Sequence, residues 1–198
     1  MSAKLISIIG PPGCGKTTLA MNLARALGAV FIREDFASNP FLADAYRGQP
    51  EARLPAQLYF LMSRVGQLAV ANWPAAGLCV SDYGFCQDRL FAEVKLSADE
   101  FALYDPVRAR LAALVHPPEL LILLDAPEAE LLRRIVSRGR EFEKAITREF
   151  LRAMRQAYRQ TAAAATCPVL HVENHVDDVR DPAVLARLAG EVRVKLGL

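Results

Sequence analysis

Residues 10–17 read Gly10-Pro11-Pro12-Gly13-Cys14-Gly15-Lys16-Thr17, which matches the pattern G-x-x-x-x-G-K-[ST]. Before it, Lys4 to Ile9 has the apolar character of a buried strand. After it, Thr17 to Leu27 carries apolar residues at helical spacing and stops at Gly28. Strand, glycine-rich loop and helix in this order are the context that makes the pattern a phosphate cradle. Glycines let backbone N–H groups turn inward around phosphate oxygens, and a helix opening at Thr17 and Thr18 points its positive dipole end at the same anion. Lys16 supplies a point charge for the β- and γ-phosphates, and the Thr17 hydroxyl is placed to ligate Mg²⁺. The segment predicts binding of a nucleoside triphosphate with magnesium.

Working outward, Ala29 to Ile32 reads as a second strand. It is followed by a polar turn through Ser38 and Asn39 and a helix opened by Pro40. From Pro55 to Ala71 the residues Leu58, Leu61, Met62, Val65, Leu68 and Ala69 fall on one stripe and predict a long helix ended by Trp73 and Pro74. Leu78 to Ser81 is a third strand and Asp88 to Val94 a helix. Ser97 opens another helix with Glu100 completing a capping box. Leu120 to Leu124 is the most apolar strand, and a helix runs from Pro127 to Ser137. A further helix spans about Thr147 to Ala165, Val169 to Val172 is the last strand, and the final helix starts at Asp181 and Pro182. Strands that alternate with helices and read as continuous apolar runs predict a three-layer α/β/α fold around a five-stranded parallel sheet. This is the P-loop NTPase arrangement, in one domain over residues 1–198.

Bulk properties narrow the function classes. The chain of 198 residues is 53% hydrophobic with a net charge of +2, which gives no general attraction to nucleic acid or membrane. No apolar run approaches the roughly 20 residues that span a bilayer, and Lys4 to Gly10 is too short for a signal peptide, so a cytoplasmic location is expected. Cys14, Cys79, Cys86 and Cys167 lack metal-site spacing and read as reduced packing residues.

A P-loop alone serves switches, motors and kinases. Asn174-His175-Val176-Asp177 superficially matches a guanine-reading N-K-x-D segment but lacks the lysine. No D-x-x-G follows a strand either, so it reads as a polar loop. Arg133, Arg134, Arg138 and Arg140 cluster after a strand and helix, where a closing lid of residues 134–143 brings guanidiniums onto a transferring phosphoryl group. A small-molecule kinase using ATP and Mg²⁺ is the expected class.

Several separated segments carry a family resemblance over nearly the whole chain. Glu34 precedes Asn39-Pro40-Phe41-Leu42, and Tyr46 stands eleven residues before Gln57. Gln57 to Arg64 has the form Q-x-Y-x-x-x-x-R, and Asp88-Arg89-Leu90-Phe91-Ala92 has the form D-R-x-F-A. Leu123 to Pro127 and Arg138-Gly139-Arg140-Glu141-Phe142-Glu143 complete the set. The chain resembles the deoxynucleoside kinases that phosphorylate deoxyadenosine, deoxyguanosine or deoxycytidine, a nucleoside/nucleotide kinase-like group of P-loop folds. The resemblance implies that Gln57 pairs with the base, Arg64 and Asp88 complete the polar contacts, Phe91 stacks on the ring, and Tyr46 and Glu143 hold the sugar 3′-hydroxyl. It also implies a homodimer, for which the helices Pro55 to Ala71 and Phe101 to Val115 offer faces.

The acceptor 5′-hydroxyl needs a carboxylate, and Glu34 and Asp82 are the two candidates, Asp82 also standing where it can serve the metal. Asp82 corresponds to the acid of the family's [ED]-R-S motif, but Tyr83 and Gly84 follow where the family usually has arginine and serine. A lid arginine or Arg89 is the expected substitute for the lost cation. A thymidylate-type nucleoside monophosphate kinase, or a nucleotide-binding regulator without turnover, is the rival reading.

Overall fold

In the computed structural model, which describes residues 3–69, 73, 74 and 76–198, all strand pairings are parallel. The strands β1 (Lys4–Ile9), β2 (Val30–Ile32), β3 (Leu78–Ser81), β4 (Leu120–Asp125) and β5 (Val169–Glu173) lie in the order β2-β3-β1-β4-β5. β4 is buried at every residue because it is central and covered on both faces. At the edge, β5 alternates between buried and exposed. Successive side chains point to opposite faces. Ile6, Ile8, Val80, Ile122 and Leu124 therefore pack beneath α1 (Lys16–Leu27), α6 (Glu128–Arg138) and α8 (Pro182–Leu196). Ile9, Leu121 and Leu123 pack against α7 (Arg148–Ala163), while Leu5 and Cys79 meet Leu68 of α3 (Pro50–Leu68). The layers are the expected α/β/α. Among the described residues no helix is long and apolar enough to cross a membrane.

Helix boundaries follow local chemistry. The stop glycines Gly28, Gly139 and Gly197 all adopt left-handed φ as C-caps. Ser97 and Glu100 form a reciprocal capping box at the start of α5 (Ala98–Leu111). Two expectations are corrected. The stripe assigned to Pro55 begins at Pro50, whose missing N–H is tolerated at N1, and helix geometry ends at Leu68; the expected end at Ala71 lies outside the described residues. Pro40 does not open a helix. The Asn39 side chain accepts from the Phe41 amide in a turn, and the five-residue α2 (Leu42–Tyr46) starts two positions later.

The loop from β3 to α4 (Gln87–Lys95) crosses the carboxyl end of β1 so closely that a Cβ on Gly84 would stand 2.7 Å from Ile9 Cγ2 and 3.1 Å from Cys86 Sγ. Contact this tight explains glycine where a serine was expected. Gly84→Ala should lower the free energy of unfolding in urea by about 1–3 kcal/mol through overpacking. In contrast, Gly66→Ala, in α3 with nothing among the described residues within 4 Å of the added methyl, should raise it by about 0.5–1 kcal/mol.

Candidate active site

The loop after β1 is built on glycines that no other residue can replace. Gly13 and Gly15 have φ of 83° and 100°. A Cβ on Gly10 would stand 2.0 Å from the Leu124 carbonyl oxygen, and one on Gly13 2.8 Å from that of Leu131. The first turn of α1 has no side-chain cap, so its N–H groups face the loop. The Lys16 ammonium lies over the loop and donates to the carbonyls of Gly10 (2.8 Å) and Pro11 (3.2 Å). From outside, the loop is tied down. Asn174, the first residue after β5, donates to the Cys14 carbonyl at 2.6 Å and accepts from the Val179 amide. Arg134 bridges the carbonyls of Asn174 (2.7 Å) and Cys14 (3.4 Å). Burial pushes the Cys14 thiol up, which keeps it a packing group.

Two carboxylates meet in front of this loop. Asp82, one residue past β3, accepts from the Thr17 hydroxyl at 2.6 Å with one oxygen and from the Glu34 amide at 2.7 Å with the other. Burial pushes its carboxyl up, opposed by those two hydrogen bonds. Glu34, two residues past β2, accepts from Arg64 Nε (3.1 Å), from a terminal Arg64 nitrogen and from Gln87 (2.8 Å). All three bonds fall on Oε1, so Oε2 has no donor among the described residues. On its other side Arg64 donates to Asp88 Oδ1 at 2.6 Å. Burial works against the guanidinium charge, but the Asp88 and Glu34 carboxylates outweigh it and raise its pKa. Phe60 and Tyr83 rings flank it at 5.1 and 5.7 Å.

A cavity of about 360 Å³ runs from the loop between α2, α3 and α4. Residues 53, 57, 60 and 64 of α3 and 87, 91 and 95 of α4 line it, each set at helical spacing. The segment 138–143 arches over it. Arg138 grips Glu143 through two nitrogens at 2.8 and 2.5 Å, Arg140 stacks on Phe36 at 4.2 Å, and Phe142 packs on Tyr46 at 5.3 Å. Burial, then the Glu143 and Glu34 charges, push the Tyr46 hydroxyl up.

The fold thus brings together on one cavity Pro12, Gly13, Gly15, Lys16, Thr17, Thr18, Glu34, Tyr46, Gln57, Arg64, Asp82, Phe91, Arg138, Arg140 and Glu143. It places others elsewhere. Asp88 is fully buried behind Arg64, with Oδ2 unpartnered among the described residues and the backbone carbonyl, not the side chain, receiving the Gln57 amide. Arg134 holds the loop from outside while its Nε donates to Glu130, and the exposed Arg133 pairs with that same carboxylate and does not reach the loop. Arg89 pairs with Glu93 and lines a separate cavity, so it cannot stand in for the expected cation. Tyr83 is no gap in the site: it is buried in the core with its hydroxyl on Gln67. Gln87, Lys95, Arg53 and Tyr158 went unassigned, although the 87-91-95 spacing marks one face of α4.

A P-loop joined through paired carboxylates to an aromatic-lined cavity defines a P-loop kinase that acts on a small molecule. The deoxynucleoside kinase family model matches residues 6–194, and the chain belongs to the deoxynucleoside kinase family. It is 32% identical over 160 residues to deoxyguanosine kinase of Bacillus subtilis, covering 79% of this chain and 77% of that one. It is 29% identical over 188 residues to deoxyadenosine kinase of Dictyostelium discoideum, covering 92% and 76%. Deoxyadenosine kinase from M. mycoides with dCMP and dCDP bound superposes with a TM-score of 0.82 at 20% identity over 96% of this chain and 98% of that one, which supports the fold. The chain is an enzyme, a deoxynucleoside phosphotransferase.

Asn174→Ala, which leaves the Cys14 carbonyl only its longer bond from Arg134, should raise KM for the nucleotide donor several-fold in steady-state assays while KM for the acceptor moves little. Tyr83→Arg places a second guanidinium against Arg64 in the core. It should cost about 3 kcal/mol or more in urea unfolding and should not increase turnover.

Proposed function

We propose that this kinase transfers the γ-phosphate of ATP to the 5′-hydroxyl of deoxyadenosine, deoxyguanosine or deoxycytidine, yielding the 5′-monophosphate for cytoplasmic nucleotide salvage. The observation that carries the proposal is the 2.7 Å bond from the Glu34 amide to Asp82, which sets two carboxylates side by side between the P-loop threonine and the cavity. Asp82 and Thr17 present hard oxygens 2.6 Å apart, a donor pair that fits Mg²⁺, and the buried carboxyl gains from a cation beside it. When bound, the metal neutralises phosphate charge.

Lys16 and the loop N–H groups hold the β- and γ-phosphates. Arg138 and Arg140 cover the charge that spreads over the transferring group. The 5′-oxygen attacks the γ-phosphorus, the bond from that phosphorus to the bridging oxygen breaks, and ADP departs. Glu34 takes the 5′-hydroxyl proton on Oε2, since Arg64 and Gln87 occupy Oε1 and fix the carboxylate's orientation. Gln57 offers a donor and an acceptor in one plane to the base, and Phe91 stacks on it. Asp88 serves that set by orienting Arg64 and Gln57. Tyr46 and Glu143 take the 3′-hydroxyl. Pairing with a second copy through α3 and α5 belongs to the same proposal, supported by the exposed apolar residues Met62, Leu103 and Val107 on those helices.

ADP release from Mg-ATP should accelerate with the three deoxynucleosides; turnover with monophosphates alone would overturn the reading. Glu34→Gln should lower kcat by about 10²–10⁴ with donor affinity retained in direct binding measurements. Asp82→Asn should raise the Mg²⁺ concentration needed for half-maximal rate. An unchanged rate in Glu34→Gln would pass the proton to Asp82.

A further inference from the structure

The cavity holds two cations that the proposed chemistry does not use. Arg53 lies one turn before Gln57 on α3, and Lys95 one turn after Phe91 on α4, so each lines the cavity one helical turn from a residue offered to the base. Their charges act on each other: burial first, and then the Arg53 charge, depress the Lys95 ammonium. Among the described residues neither one pairs with a carboxylate. Lys95 instead faces the rings of Tyr46 (4.7 Å) and Phe150 (4.8 Å). The other guanidiniums of the cavity are paired, Arg64 with Glu34 and Asp88, and Arg138 and Arg140 with Glu143, and Lys16 donates to the carbonyls of the P-loop. A half-buried cation pair without an anion is unfavourable unless a ligand brings electron-rich atoms to it.

We propose that Arg53 and Lys95 select a 6-oxopurine, making deoxyguanosine the preferred acceptor. This inference rests on the deoxynucleoside reading above and deepens it. Guanine presents two adjacent acceptors, O6 and N7, the pair that Arg and Lys recognise. Adenine replaces O6 with an N6 amino group and cytosine presents an N4 amino group, each of which points protons at a cation. Gln57 and Phe91 supply contacts that any of the bases can use; the cations supply the discrimination.

The test compares kcat/KM for deoxyguanosine, deoxyinosine and deoxyadenosine with the intact enzyme and with Arg53→Met and Lys95→Met, which keep side-chain length without charge. Deoxyinosine retains O6 and N7 but lacks the 2-amino group. Deoxyguanosine and deoxyinosine should both exceed deoxyadenosine by about tenfold or more, and each substitution should lower the deoxyguanosine-to-deoxyadenosine ratio by about tenfold. Because the ratio is internal to each preparation, partial loss of folded enzyme does not change it. An unchanged ratio in both variants overturns the inference, as does a deoxyinosine rate that falls with deoxyadenosine. Deoxyadenosine or deoxycytidine turnover with deoxyguanosine rejected also sinks it while leaving the kinase reading intact. If no deoxynucleoside accelerates ADP release, both fall together.

Discussion

One buried guanidinium organises the acceptor half of this molecule. Arg64 is bound on one side by Glu34 and on the other by Asp88, with aromatic rings against its faces. Removing the guanidinium leaves two carboxylates in the interior without their cation, an imbalance of about 3–5 kcal/mol. Satisfying it couples three elements that the chain keeps far apart: the segment after β2, the middle of α3 and the first turn of α4. The wall of the cavity and the carboxylate at its inner end are therefore set by the same interaction. Gln87 adds a neutral donor to the same Glu34 oxygen, so the carboxylate is oriented without a second cation.

Parallel strands bring this arrangement to the donor half. Every strand of the sheet ends on the same edge, and each contributes a polar group there: Glu34 past β2, Asp82 past β3, the glycine loop past β1, Asp125 on β4 and Asn174 past β5. Asp125 is spent on structure, gripped by Arg155 and Arg159 of α7 and by the Ala126 amide. The crossover from β3 to β4 passes over β1, which opens the crevice where an open α/β sheet takes its ligands.

How much of this could be read from the chain depends on how local each contact is. The P-loop was legible because its requirements, left-handed glycines and a helix start, lie within eight consecutive residues. Glu34 and Asp82 were legible as acids just past strands, and their proximity follows from β2 and β3 being neighbours. Arg134 and Arg138 looked alike in a basic cluster, yet one clamps the loop and the other grips Glu143, a distinction set by tertiary contacts. Tyr83 read as a lost functional residue because a motif alignment carries no burial; its ring fills the core behind Arg64. Arg53, Gln87 and Lys95 carried no motif, and only the packing of α3 on α4 shows which helical face they share. Asn174 reads as loop because nothing in Asn174-His175-Val176-Asp177 marks a bond to a carbonyl 160 positions earlier.

That last bond has an implication for how the protein comes into being. A chain leaves the ribosome from its amino end, so the glycine loop emerges long before the asparagine and the Val179 amide that pin it. Until β5 and the residues through Val179 have emerged, the cradle lacks this restraint. Productive nucleotide capture is thereby deferred until β5 has joined the sheet, and a fragment truncated ahead of β5 keeps the signature motif without the architecture that pins it.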